Sequence, residues 1–358
     1  MTLPMTTFIT QRAQQTITIN GERYTASEAK ISASDGKSLL QKKFYDLYGK
    51  DSFYSSLADF LAEWFDDSNT LKVHTSGSTG QPKELWVEKR KMMNSAILTI
   101  SFLKLHHGDS AMLCMPLQYI AGKMVVVRSL IVGLNLIPIP PCGHPMQNIE
   151  TPPVFSAMIP MQVFNSLQVP SERKLLMQIQ HLIIGGGAID DALGKSLQEF
   201  PHAVWSTYGM TETLSHIALR RLNGSDHSDW YTPFDNVSLS LSEENTLIIH
   251  APSVCSELLR TNDIAEFNQH GQFRILGRKD NTINTGGVKV QIEQVEKELK
   301  SLLDCPFMIT SVPDPKFGER IVLLIEAVHI NHEQINESIK KLPPYWRPKQ
   351  IIRIDTLP

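Results

Sequence analysis

Apolar residues in this chain follow two kinds of spacing. Leu57, Phe60, Leu61, Trp64 and Phe65 stand at i, i+3, i+4, i+7 and i+8. That spacing predicts a helix with one buried face and assigns its aromatics to the core. Upstream, residues 16–25 alternate around Asn20-Gly21, which predicts a β-hairpin. From residue 111 onward, short apolar runs at 111–115, 134–139, 154–159, 181–184 and 203–208 alternate with helical stretches. Such alternation predicts an α/β domain with a largely parallel sheet, whose ligands bind at the carboxyl ends of the strands.

The pattern changes after Asn223. Residues 237–241, 246–250, 257–260 and the hairpin 265–276 read as short strands between polar turns. Then come a helix with Ile292, Val295, Leu299 and Leu302 on one face, an apolar strand at 321–328 and a last helix near residue 335. The expected class is α/β. A large N-terminal α/β domain with mostly parallel sheets spans 1–277, including a β-rich subdomain from about 224 to 277. A small, mobile C-terminal α+β domain spans 278–358. The break is placed at the polar, glycine-containing Gly277-Arg278-Lys279-Asp280. A chain of 358 residues exceeds what one core usually holds, which agrees with two domains.

Composition narrows the function. The chain is 42% hydrophobic and 20% charged, as globular proteins are, and its net charge of −3 gives no reason to expect a nucleic-acid partner. Cys114, Cys142, Cys255 and Cys305 lie far apart with no Cys-x-x-Cys pair, so neither a disulfide framework nor a structural zinc site is expected. No basic segment followed by an apolar stretch opens the chain. The most apolar region, 124–139, is interrupted by Arg128 and Asn135 and is too short to span a bilayer. A cytoplasmic location is the expectation.

The candidate chemistry begins at Thr75-Ser76-Gly77-Ser78-Thr79-Gly80-Gln81-Pro82-Lys83, between two runs of strand character. Glycines bring backbone N–H groups close to a ligand, and successive N–H groups with hydroxyls form an anion-binding concavity. Lys83 adds a positive charge suited to the outer phosphates of a nucleotide. The plainer reading is a Ser/Gly hairpin loop. A Walker A loop is excluded, because Lys83 follows Pro82 and precedes a strand. Further on, Tyr208-Gly209-Met210-Thr211-Glu212 closes an apolar run. Tyr208 offers a flat face to a purine, Thr211 a hydroxyl to a phosphate, and Glu212 a hard oxygen ligand for Mg²⁺. Gly185-Gly186-Gly187 closes another run and permits close backbone approach by a flat ligand, or is simply a tight turn.

The stretch at 75–83 resembles the phosphate loop of the adenylate-forming enzymes, the superfamily of acyl-CoA synthetases, peptide-synthetase adenylation domains and luciferases. Every position of the pattern Thr-Ser-Gly-Ser/Thr-Thr/Ser-Gly-x-Pro-Lys is matched. The Tyr-Gly-x-Thr-Glu motif follows in the family's order. The resemblance implies ATP or AMP contacts from Thr75, Ser76, Gly77, Ser78, Thr79, Gly80, Gly185, Gly186, Gly187, Tyr208 and Gly209. It implies catalytic roles for Lys83, Thr211 and Glu212. Arg260-Thr261-Asn262-Asp263 resembles the family's Thr-Gly-Asp at a strand end, with Asn262 in place of glycine, and implies that Asp263 holds the ribose hydroxyls. Arg278 would meet the ribose or α-phosphate, Asp280 would be the hinge of the small domain, and Gly286, Gly287 and Lys289 would lie on the CoA side.

The implied reaction activates a carboxylic acid with ATP to an acyl-adenylate and transfers the acyl group to CoA. Mg²⁺ is implied on Glu212. The segment 115–123 resembles the family's Pro-Leu-Phe-His-x-x-Gly stretch, with Tyr119 where His is common. Tyr119, Lys123, Arg128 and Ser215 are the expected acid-binding residues. Two cations near the acyl pocket suit a second carboxylate on the substrate, and the segments 211–216 and 260–263 look like those of o-succinylbenzoate–CoA ligases of menaquinone synthesis. Another acyl- or aryl-CoA ligase, an adenylation domain loading a carrier protein and a non-catalytic nucleotide-binding protein remain open. Residues 352–358 resemble the lead-in to the family's closing lysine motif, and the sequence stops there. Either this is a truncated piece or the member works without that lysine. A weak adenylation step with surviving thioester formation is the expectation.

Overall fold

A computed structural model describes residues 7–32, 36–74, 84–326 and 332–357, so the stretch 75–83, with Lys83, lies outside the described residues. The chain divides into two compact units, Met1–Ser238 with His250–Leu258, and Leu239–Ile249 with Leu259–Pro358. This differs from a break at 277/278: residues 239–249 and 259–277 group with the second unit.

The first unit opens with β1 (Thr16–Ile19), β2 (Glu22–Thr25), α1 (Ala26–Ala29), α2 (Leu39–Tyr48), α3 (Phe53–Phe65), β3 (Thr70–His74), β4 (Glu84–Glu88) and α4 (Lys89–Leu103). It continues with β5 (Ser110–Leu113), α5 (Ile120–Val132), β6 (Asn135–Pro138), β7 (Phe155–Met158), α6 (Pro160–Gln168), α7 (Pro170–Leu176) and β8 (His181–Ile184). Then follow α8 (Asp191–Leu197), β9 (Ala203–Gly209), β10 (His216–Arg221) and β11 (Thr232–Pro233). Among the described residues, nine strands form one sheet in the order β11-β10-β9-β8-β7-β5-β6-β1-β2. From β1 to β9 the pairings are parallel; β2, β10 and β11 join antiparallel. The sheet is thus the largely parallel one that the alternation of patterns predicts. β3 and β4 form a separate antiparallel pair.

Local signals set the helix ends. Ser52 Oγ accepts from Ser55 N at the start of α3, and Asp190 Oδ1 accepts from Leu193 N at the start of α8. Gly133, at φ 74°, ends α5 in the left-handed region where glycine is unstrained. Along the strands, side chains alternate between faces. Met112, Leu182, Ile184 and Val204 pack with Val163 and Leu167 of α6, Leu176 of α7 and Leu193 and Leu197 of α8. The intervening Ala157 and Ile183 line a cavity together with Arg128 of α5. Residues 122–132 of α5 are all buried, as expected for a helix apolar on every side.

In the second unit, β12 (Ser238–Leu241), β13 (Thr246–His250), β14 (Leu259–Phe267) and β15 (Phe273–Arg278) form a four-stranded sheet. A second sheet holds β16 (Thr282–Thr285), β17 (Val288–Gln291), β18 (Phe307–Asp314), β19 (Gly318–Ile325) and β20 (Gln350–Arg353). Helices α9 (Ile292–Lys300) and α10 (His332–Lys341) pack Val295, Leu299, Ile335 and Ile339 against Ile321, Leu323 and Ile325. One expectation is corrected. Arg260-Thr261-Asn262-Asp263 does not end a strand but runs through β14, which continues to Phe267 with a register shift at Ile264/Ala265. Polar as it is, the run pairs on both sides: Thr261 Oγ1 donates to Leu247 O, and Asp263 lies opposite Arg278 in β15. Among the described residues, no helix is long and apolar enough to cross a membrane.

Candidate active site

The cavity in the first unit has a volume of about 230 Å³, room enough for an aromatic ring, since about 150 Å³ accommodates benzene. It lies at the carboxyl ends of β7, β8 and β9, where parallel sheets place ligands. Gly185 and Gly186 follow β8 and form part of its wall. Gly186 has φ +77°, a left-handed conformation open to glycine. At Gly209 a Cβ would lie 2.4 Å from Ser215 O and 2.5 Å from the His216 Cα, so only glycine lets the returning chain close on the end of β9. At Gly185 a Cβ would meet the Thr207 hydroxyl at 2.3 Å.

Arg128 sits at the wall of this cavity, 2% exposed. Its Nη2 donates to Ser215 Oγ at 2.7 Å and to Thr99 Oγ1 at 3.2 Å. Its Nε has no hydrogen-bond partner among the described residues. Burial pushes its pKa down to about 9, which leaves the guanidinium charged near neutrality. Among the described residues its hydrogen-bond partners are these two neutral hydroxyls, and a buried cation so held is costly unless an anion meets it. Much of the lining around it is apolar, with Met115, Ile120, Ala157, Ile183 and Leu214, and its polar side chains include Tyr119, Thr207, Thr211, Ser215 and His216.

His216, 6% exposed, completes the cluster. Its Nδ1 lies 3.2 Å from Ser215 Oγ and its Nε2 3.0 Å from Thr99 Oγ1. Burial first, and the neighbouring Arg128 charge second, hold its pKa well below the usual imidazole range. In the sequence His216 stands out only as the last residue of the segment 211–216, with no role of its own, and Thr99 does not stand out. Thr99 lies on an amphipathic helix 117 residues from His216, and no local pattern links the two.

Tyr119, Arg128, Ser215, Gly185, Gly186, Gly209 and Thr211 all line the cavity. Lys123 does not, and its expected contact with the acid is corrected. Its Nζ donates to Lys72 O at 3.1 Å, lies 3.4 Å from Glu63 Oε2 and sits over the Phe60 ring at 5.2 Å. On α5 the first and eighth positions of the sequence 121–128 meet the cavity, whereas Lys123 turns toward α3 and β3. Burial lowers its pKa, with Glu63 partly opposing the shift. Tyr208 packs its ring against Tyr231 at 5.9 Å, on the face opposite Thr207. Glu212 is exposed on a one-turn helix at Thr211–Thr213. Gly187 is exposed beside Pro160, and residues 75–80 and Lys83 lie outside the described residues.

In the second unit Arg278 joins two carboxylates. Its Nη1 lies 3.2 Å from Asp263 Oδ1 and its Nη2 2.7 Å from Asp280 Oδ2. The hydrogen bond from Arg278 holds the exposed Asp280 carboxyl below its ordinary pKa. Gly286 and Gly287, at φ +61° and +80°, make the two-residue turn between β16 and β17, a conformation that favours glycine. Lys289 is exposed on β17.

The family model of the AMP-binding enzymes matches residues 14–254. A 2-succinylbenzoate–CoA ligase of Salmonella typhimurium is 25% identical over 288 residues, 76% of this chain and 61% of the ligase. The chain thus spans less than two thirds of that relative's length. Among solved structures, an acyl-CoA synthetase (AMP-forming)/AMP-acid ligase II-like protein of Dyadobacter fermentans is 29% identical with a TM-score of 0.63, covering 86% of this chain and 90% of that one. Wild-type E. coli MenE, bound to an analogue of OSB-AMS, shares the fold with a TM-score of 0.70 at 17% identity, over 96% of this chain and 93% of that one. A family match over more than half its length makes this chain a member of the AMP-binding enzymes.

Proposed function

We propose that this chain acts in an AMP-forming acid–CoA ligase whose acid is o-succinylbenzoate. The observation that carries the reading is Arg128: a buried guanidinium whose Nε has no partner among the described residues, at the wall of a largely apolar, ring-sized cavity. A keto-diacid with an aromatic ring supplies both an apolar body and a carboxylate to neutralise that cation. A fatty acid would fill the apolar part and leave the buried charge unpaired, at a cost of a few kcal/mol. Similarity to a 2-succinylbenzoate–CoA ligase supports the same reading.

In the reaction, the carboxylate to be activated attacks the α-phosphorus of ATP and expels pyrophosphate, and the thiol of CoA then displaces AMP. This chain's part is positioning and charge neutralisation. Arg128 and Ser215 fix the carboxylate that is not activated. The glycine backbone at 185–186 admits a flat group against the wall, and Thr211 presents a hydroxyl at the cavity. Mg²⁺ would neutralise the phosphate charge. Glu212 fits such an ion as a single exposed carboxylate, because Mg²⁺ is commonly held by one or two carboxylates plus substrate phosphates. We assign Lys83 and 75–80 to the phosphates, Tyr208 to the base, Asp263 to the ribose, Arg278 to the ribose or α-phosphate, Asp280 to a hinge, and Gly286, Gly287 and Lys289 to the CoA side, on the motif resemblance.

The test is pyrophosphate release with ATP, Mg²⁺ and a panel of o-succinylbenzoate, benzoate, coumarate, hexanoate and amino acids, followed by thioester formation with CoA or a phosphopantetheinyl carrier protein. Selective release with o-succinylbenzoate and transfer to CoA is expected. Selective release with a monocarboxylate discards the diacid, and transfer only to the carrier protein discards the CoA ligase.

A further inference from the structure

His216 closes a ring of hydrogen-bonding groups around the Arg128 guanidinium. Arg128 Nη2 donates to both Ser215 Oγ and Thr99 Oγ1. The imidazole bridges the same two hydroxyls, Nδ1 to Ser215 at 3.2 Å and Nε2 to Thr99 at 3.0 Å. Buried beside a cation, the ring is neutral and carries one N–H. Proton counting leaves two arrangements. With the proton on Nε2, the ring donates to Thr99, whose hydroxyl turns to Ser95 O at 3.4 Å, and the Ser215 hydroxyl is spent on Nδ1. With the proton on Nδ1, the ring donates to Ser215 Oγ and Thr99 donates to Nε2. The Ser215 O–H is then free to point into the cavity that Ser215 lines.

Building on the dicarboxylate reading above, we infer that His216 is a positioning residue for acid selectivity, its tautomer deciding whether Ser215 can donate to the carboxylate at Arg128. In the empty site the first arrangement satisfies every proton donor of the three neutral side chains. A carboxylate at Arg128 selects the second, because it then accepts from Ser215 as well as from the guanidinium. His216 does not touch the activated carboxyl in this scheme. It therefore affects dicarboxylate binding and leaves turnover of a monocarboxylate alone. Asparagine at this position retains a polar group near Nδ1 and preserves the link to Ser215, whereas phenylalanine keeps the ring and removes both links.

The experiment titrates o-succinylbenzoate and the monocarboxylate 4-oxo-4-phenylbutanoate into the full chain and into His216→Phe and His216→Asn, by calorimetry. The imidazole ¹⁵N shifts of the unaltered chain are recorded with and without the diacid. The expected result is an about tenfold weaker Kd for the diacid in His216→Phe, the size of one lost hydrogen bond to a charged group. The monocarboxylate Kd stays within about twofold, and His216→Asn recovers most of the loss. The ¹⁵N spectrum moves from Nε2–H to Nδ1–H as the diacid binds, a readout that does not depend on a variant folding. An unchanged diacid Kd in His216→Phe, or an unchanged tautomer on binding, overturns the inference. A wild-type chain that does not distinguish the two acids overturns the diacid reading itself.

Discussion

Arg128 Nη2 lies 2.7 Å from Ser215 Oγ, joining the middle of α5 to the link between β9 and β10. That contact sets the charge of the acid pocket. Both residues face one cavity, and the guanidinium is neutralised by no carboxylate in the salt bridges of the described residues. The energetic consequence is a site whose stability is held back by the charge its ligand needs.

Arg128→Met should therefore leave the fold as stable as the parent or more so. Replacing a buried ion by an apolar side chain of similar length is often neutral or stabilising by about 1–4 kcal/mol. Thr99 and Ser215 keep His216 as a partner. Urea unfolding of the two chains measures the difference. A loss of more than about 2 kcal/mol would show that the guanidinium is a structural anchor.

Two of the cavity glycines, Gly209 and Gly185, should respond differently to alanine. At Gly209 the added Cβ meets backbone, Ser215 O at 2.4 Å, so the β9–β10 pairing must shift. A loss of about 1–3 kcal/mol is expected, with weakened acid binding because Ser215 moves. At Gly185 the nearest atom is the Thr207 hydroxyl, which can rotate away. Gly185→Ala should cost less stability in the same denaturation assay; equal losses would contradict the distinction.

Stability should depend on pH through the buried His216 and the partly buried His181. His216 and His181 both have pKa values lowered chiefly by burial. Below about 6.5 the unfolded chain binds a proton that the folded chain does not, so this stability is present above that pH and is lost as pH falls. Each such histidine contributes a slope of up to about 1.4 kcal/mol per pH unit. Unfolding free energies measured at pH 7.5 and 5.5 should fall less in His216→Asn than in the parent. Parallel pH profiles would mean that His216 titrates normally when folded.

Lys123→Met should leave acid selectivity within about twofold, since Lys123 is committed to Glu63 and the Lys72 carbonyl. A large change in the ratio of diacid to monocarboxylate affinity would bring Lys123 back into the pocket.

Much of this site is readable from the chain alone. Arg128 stands out because a charge inside a run that is otherwise apolar must have a partner or a purpose. Gly185 and Gly209 stand out because they follow apolar strands. Lys123, five positions earlier on the same buried helix, carries the same signal but points elsewhere, and only the packing of α3 and β3 against α5 decides that. His216 falls in the segment 211–216 but nothing there marks its role, and Thr99 gives no signal, since their pairing exists only where two distant elements meet. The polar run at 260–263 reads as a strand end because the pattern does not reveal that Leu247 and Arg278 supply partners on either side.

The most direct test of the central claim is the affinity of the chain and of Arg128→Met for o-succinylbenzoate and for its two monocarboxylate analogues, 4-oxo-4-phenylbutanoate and 2-butyrylbenzoate. The account predicts that the parent prefers the diacid, that Arg128→Met loses about 2–4 kcal/mol of diacid affinity, and that at least one monocarboxylate binds both chains alike. Equal affinity of the parent for all three acids, or a diacid affinity untouched by the substitution, would contradict it.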